Sequence, residues 1–266
     1  MSLAWLVVFL AIFLIGVTKS GFGSGVGLMI VPMTVMALGH TRHGSQAALG
    51  LMLPLLIAGD LLAVWQYRRR FSVEIVKRLL PGTFVGVVLG GALLWWLHRL
   101  GSGGNDRLLR GAIKVEVAVE SIVLVGLHWW RVWRGQSLHV TPSPLKSTLT
   151  GAAAGVSSTL AHAAGPIIAL YLLPQKLERQ LFVGTSAVYF FLLNTAKLPA
   201  YWGVHMFSRE VLLLSLYTLP LVVAGAVFGF WVNRKMNDAL FSKVVYVLTF
   251  ALGWWLLYDG VRDLVG

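Results

Sequence analysis

The chain contains no cysteine, so disulfides, thiolate metal ligands and a cysteine nucleophile are excluded. Charge is scarce as well: 12% of the 266 residues are Asp, Glu, Lys or Arg, against about 25% in a soluble domain. Acidic side chains are the rarest, ten against 22 basic ones. Neither a Walker sequence nor a dinucleotide fingerprint occurs, which removes ATP-driven work from this chain. No spacing of His, Asp and Glu suits a metal, no Gly-x-Ser-x-Gly elbow is present, and nothing calls for a cofactor. What the chain has instead is apolar length: 57% of its residues are hydrophobic.

The apolar residues fall in long runs. Leu3–Val17, Ala47–Tyr67, Ile75–Leu97, Ala112–Trp130, Leu181–Trp202, Val211–Val232 and Val244–Leu257 reach or approach the ~20 residues that cross a bilayer. This predicts an all-α polytopic membrane protein with no room for a soluble domain. The first run has no basic flank or cleavage site and reads as a membrane element, not a leader. In such a protein the net charge of +12 is no sign of nucleic-acid binding. The basic residues sit mostly in short loops, where they set orientation and meet lipid headgroups. Thirteen fall at Arg68–Arg70, Lys77, Arg78, Arg131, Arg134, Lys146, Lys176, Arg179, Arg234, Lys235 and Lys243. The other loops hold six: Arg42, Arg99, Arg107, Arg110, Arg209 and Arg262. The richer set is expected inside, which places both termini on the periplasmic side of a bacterial inner membrane.

The chain also repeats itself. Pro81, Gly86 and Gly90 return 139 positions later as Pro220, Gly225 and Gly229. Asp60–Trp65 returns 137 positions later as Lys197–Trp202, and Phe71-Ser72 returns 136 positions later as Phe207-Ser208. Each copy opens with a hydrophobic stretch broken by small residues. The loop charges make residues 1–40 and 147–174 hairpins that enter and return without crossing. Three full crossings follow each, and an odd number turns the second copy upside down. The expected organisation is therefore two inverted repeats, 1–135 and 147–266, joined by a cytoplasmic linker at 136–146.

Backbone broken at membrane depth frees N–H and C=O groups that must be buried in protein or line a watery cavity. A helix that restarts there points its first N–H groups, and the positive end of its dipole, at an anion. In the first break Lys19, Ser20, Gly21, Gly23, Ser24, Gly25 and Gly27 are the candidate contacts. In the second they are Ser157, Ser158, Thr159, His162 and Gly165, with Pro166 expected at the first helical position. Ionisable residues within crossings are costly and mark function. Asp60 lies eight positions before Arg68, about 12 Å from the helix end. It is a candidate proton carrier, as is His162 in its break. Lys197 takes the equivalent place in the second copy, and Asn194 lies on the same helical face, so the two form a candidate oxyanion contact. Repeat symmetry allows Asp60 and Lys197 to meet. Lys114, Glu116 and Glu120, on one helix, and Asp259 read as structural or interfacial.

The run from Gly16 to Pro32, Gly-Val-Thr-Lys-Ser-Gly-Phe-Gly-Ser-Gly-Val-Gly-Leu-Met-Ile-Val-Pro, resembles the signature of the TauE/SafE family of anion permeases, the sulfite exporters. Gly165–Leu173 resembles that family's matching motif in the second half. The second break reads His162-Ala163-Ala164-Gly165 where the family typically carries several glycines. The resemblance implies export of sulfite, sulfonates or related small organic anions; from the residues themselves, the anion, a small carboxylate included, is expected between the two breaks, with H⁺ as the coupling ion. Two other readings are an anion channel and an intramembrane hydrolase using Ser157 or Ser158 with His162.

Overall fold

The computed structural model describes residues 3–21, 27–38, 44–101, 106–134, 143–172, 175–233 and 238–265. In chain order these form α1 (Leu3–Gly21), α2 (Gly27–Leu38), α3 (Gly44–Tyr67), α4 (Val73–Gly101), α5 (Asp106–Trp133), α6 (Pro144–Ala161), α7 (Ala164–Leu172), α8 (Arg179–Ala196), α9 (Leu198–Gly203), α10 (Arg209–Asn233) and α11 (Asp238–Val265). No strand occurs among the described residues. Ala47–Tyr67, Val73–Arg99, Gln180–Gly203 and Arg209–Trp231 are long and apolar enough to cross a membrane.

Local chemistry explains where the helices stop. Ser143 caps α6, its hydroxyl accepting from the Lys146 amide at 3.3 Å, and Pro144 opens the first turn without an amide to satisfy. The same helix ends at Ala161 because His162 turns into the left-handed region at φ 54°. Its amide donates to the Ser158 carbonyl at 3.0 Å. The chain restarts at Ala164, so Pro166 is the third residue of α7 and not the first, as expected. It still lies in the opening turn, where no helical acceptor waits for the missing amide. In the first half α1 ends at Gly21 and α2 begins at Gly27; Gly23, Ser24 and Gly25 lie outside the described residues. The run expected as one crossing at Leu181–Trp202 is interrupted at Lys197, where α8 gives way to α9. Pro199 has no amide to give the Thr195 carbonyl, so the helix cannot continue unbroken through that turn.

Two closely packed helix pairs organise the bundle, α1 with α10 and α4 with α6. Glycine lets their backbones touch. A Cβ at Gly16 would fall 2.0 Å from the Val222 carbonyl oxygen, and one at Gly155 would fall 2.6 Å from that of Thr83. Facing them, a Cβ at Gly225 would fall 2.0 Å from the Phe13 carbonyl oxygen and one at Gly86 2.1 Å from that of Ala152. The four glycines and the four residues they meet form pairs that are each 139 positions apart in sequence. The outward faces of these helices are apolar and bare. Phe84 and Val88 on α4, and Val223 and Val227 on α10, are all exposed. A protein in water does not present such ridges; they suit lipid.

Gly86→Ala and Gly225→Ala should each cost about 1–3 kcal/mol, because a methyl group there meets backbone that cannot swing aside. Gly126 has nothing within 4 Å of its would-be Cβ. Gly126→Ala should therefore be neutral or mildly stabilising. Thermal unfolding in detergent separates the two cases, and an equal loss at all three positions would remove the close-crossing explanation.

Candidate functional site

Most of the ionisable side chains expected within the membrane converge, but in two sets. In the first, Lys19, on the last turn of α1, places Nζ 2.6 Å from Asp60 Oδ1. It also sits 4.5 Å above the Phe190 ring centre. Asp60 is wholly buried. Its second oxygen, Oδ2, accepts from Asn194 Nδ2 at 2.6 Å. A carboxylate only accepts, which fixes the orientation of the Asn194 amide. Gly59 makes room for the lysine stem: a Cβ there would meet Lys19 Cγ at 3.3 Å. Thus α1, α3 and α8 are tied by one buried carboxylate.

The second set is built on the broken end of α6. Lys197, wholly buried at the α8–α9 junction, donates to the Ser158 carbonyl at 3.0 Å and to Ser158 Oγ at 2.9 Å. Its Nζ is 2.8 Å from His162 Nδ1. With Lys197 as an ammonium, which has three protons and no lone pair, Nδ1 accepts and the imidazole proton resides on Nε2. Nε2–H then donates to the Leu49 carbonyl at 3.1 Å. The Tyr201 hydroxyl donates to the Thr159 carbonyl at 2.9 Å and lies 3.3 Å from Nε2. Left-handed backbone is uncommon for a histidine. Here the ring's two hydrogen bonds hold it in a conformation that glycine adopts most readily.

The helix-end carbonyls of both hairpins receive a tyrosine. Tyr67 donates to the Ser20 carbonyl at 3.3 Å, as Tyr201 does to that of Thr159. Ser20 and Thr159 stand 139 positions apart. The Ser20 and Ser157 hydroxyls are buried without a hydrogen-bond partner, as is that of Ser186 on α8.

Several expectations change. Asp60 and Lys197 do not pair: Asp60 is taken by Lys19 and Asn194, while Lys197 turns to the second hairpin. Asn194 and Lys197 likewise serve different partners, because α8 ends between them at Ala196. Gly165 lies within α7 and Gly21 and Gly27 at the ends of α1 and α2. His162 bonds to neither Ser157 nor Ser158 through their hydroxyls, so no serine–histidine relay forms. Tyr201, Tyr67, Phe190 and the Leu49 carbonyl were not singled out from sequence. Tyr201 lies four residues past Lys197 within the duplicated segment, and that spacing is the one signal that points to it.

Lys114 is not interfacial. It is wholly buried, with Nζ 2.6 Å from Asp259 Oδ2 and 2.7 Å from Asp263 Oδ2. Asp259 is buried too. The cluster pins α5 to α11, and Gly260 allows the approach, since a Cβ there would lie 2.9 Å from Lys114 Cβ. The side chains of Glu116 and Glu120 lie outside what the structure describes.

Apolar helices long enough to span a bilayer, a helix broken inside the bundle and buried ions gathered at the break define a membrane transporter. A family model described as Sulfite exporter TauE/SafE matches residues 8–256, and the chain belongs to that family. No curated protein and no solved structure matches it.

Lys114→Met should cost about 3–5 kcal/mol, because it leaves two carboxylates side by side without their cation. Replacing all three charges, with Asp259→Asn and Asp263→Asn added, should recover part of that loss. Thermal unfolding of the two variants checks this; a triple variant less stable than Lys114→Met would contradict the clamp.

Proposed function

We propose that the chain is a secondary transporter that moves small oxyanions, such as sulfite, sulfonates or small carboxylates, out of the cell across a bacterial inner membrane. The anion binds between the two hairpins, and access alternates as one half rocks against the other. Membership of a sulfite exporter family supports the substrate class. The observation that carries the reading is the meeting of both hairpin ends with a lysine each, Lys19 half-buried and Lys197 wholly buried. Lys19 closes α1 and Lys197 reaches the end of α6, with Asn194 on α8 linking the neighbourhood of one to that of the other. The amino end of α7 opens two residues after His162, so its unpaired amides and the ammonium of Lys197 lie on the same break.

Two inverted repeats, 1–135 and 147–266, about a linker at 136–146 supply the rocking halves. The reciprocal glycine contacts support this organisation, since a pseudo-two-fold exchange of α1 with α6 and α4 with α10 maps one crossing onto the other. The loop charges support periplasmic termini. H⁺ is the coupling ion in this reading, and Asp60 its carrier: a proton on Asp60 releases Lys19, its ion-pair partner.

Purified protein should be stabilised by its substrate in a thermal-shift panel of oxyanions, by about 2.7 kcal/mol at a hundredfold excess over Kd. Lys197→Ala and Lys19→Ala should each abolish the shift. If no oxyanion raises the unfolding temperature of the wild type, the anion site is wrong. Coupling through Asp60 predicts that Asp60→Asn makes transport in proteoliposomes insensitive to an imposed pH gradient; an unchanged response would move the coupling elsewhere.

A further inference from the structure

The two buried clusters differ in how their charge is balanced. Lys19 is neutralised by Asp60 at 2.6 Å. Lys197 has all three of its protons on neutral acceptors, namely the Ser158 carbonyl, the Ser158 hydroxyl and the His162 ring. Among the described residues no carboxylate lies within ion-pair distance of it. The hydrogen bonds of Lys197 are complete, but its charge is not offset. A wholly buried cation in that condition is costly. Asn194 is neutral, and His162 is neutral by its hydrogen bonding. With Lys197 protonated, Lys19, Asp60 and Lys197 leave the site with one net positive charge.

We propose that this site is matched to a singly charged oxyanion. The inference rests on the reading of the site as an anion site and adds the number of charges it takes. One negative charge neutralises Lys197. The oxyanion can replace the Ser158 hydroxyl or the His162 ring as acceptor, so no proton of the ammonium is left bare. A second negative charge finds no cation, because the remaining ammonium, that of Lys19, is held by Asp60. It would instead meet the field of Asp60, whose partner Asn194 is three residues from Lys197. Like charges at such range in a water-poor interior repel strongly. Asp60 thus sets specificity without touching the substrate.

Methanesulfonate and sulfate are suitable probes, being tetrahedral oxyanions with one and two charges near neutral pH. Their binding to purified full-length protein is titrated for the wild type, Asp60→Asn, Lys19→Gln and the double variant, whose sites carry net charges of about +2, 0 and +1 after substitution on this count. The wild type should prefer methanesulfonate by at least about tenfold in Kd. Asp60→Asn should bring the two within about threefold or reverse them. The double variant should return to the wild-type order although both residues are changed. A wild-type ratio retained in Asp60→Asn, or a double variant that does not recover the order, overturns the proposal. Should Asp60→Asn not fold, Lys19→Gln decides: methanesulfonate affinity should fall at least about tenfold, and unchanged affinity overturns the charge rule. If neither probe nor any other oxyanion binds the wild type, the anion-site reading itself fails, which a charge-independent preference would leave standing.

Discussion

A carbonyl freed at the end of a helix in hydrocarbon has to find a donor, and Ser158 finds two. His162 returns its own amide, and Lys197 reaches across from α8 with an ammonium. That second bond governs much of the molecule's interior. With the Tyr201 hydroxyl on the Thr159 carbonyl, it ties the end of α6 to α8 and α9. It also holds a wholly buried lysine where no carboxylate among the described residues pairs with it. The Ser158 carbonyl keeps the His162 amide with or without Lys197, whereas Lys197 finds its buried acceptors only at the break. Tyr201 and Tyr67 extend the same solution to the Thr159 and Ser20 carbonyls.

Certain backbone contacts recur between the two halves of the sequence, while the charges placed on them do not. Lys19 and Ser158 are 139 positions apart, and Asp60 and Lys197 are 137 apart. In each half a residue on the hairpin's first helix therefore meets the corresponding residue on a later helix, Lys19 with Asp60 and Ser158 with Lys197. The contact is kept and the charges are redistributed. One half makes a neutral ion pair; the other leaves a cation among dipoles. Duplicated glycines, which set how closely helices approach, have no such freedom: Gly16 and Gly155, like Gly86 and Gly225, still face equivalent backbone.

Features that depend on backbone sterics or on hydrophobic length were legible in the sequence. The apolar runs located the helices, and the small-residue stretches located the break at His162. Buried charge identified Lys19, Asp60 and Lys197 before their partners were visible. The partners were harder to read, because a pairing is decided by where one helix ends relative to another. Asn194 and Lys197 share a helical face only if α8 continues through Lys197, and Pro199 stops it. Lys114 read only as structural or interfacial, without a partner, because its counter-charges, Asp259 and Asp263, lie 145 and 149 residues away. The Leu49 carbonyl carries no residue-type signal at all, since every residue offers one.

The bonding of Lys197 also bears on how a carrier of this design would move. In the structure its ammonium is saturated by Ser158 and His162, and both belong to the α6 break. An anion that takes one of these acceptor positions loosens the tie between α8 and the hairpin as it binds. Substrate and hairpin thus compete for the same three protons, and a ligand shifts a conformational equilibrium by its differential affinity for the two states. Lys19 behaves differently: its partner Asp60 is a full charge, and in the proposed cycle it is a proton on Asp60, not the anion, that releases it. The two halves then divide the labour. On the proposed mechanism the first hairpin's tie to α3 answers to a proton on Asp60, and the second hairpin's hold on α8 answers to the bound anion.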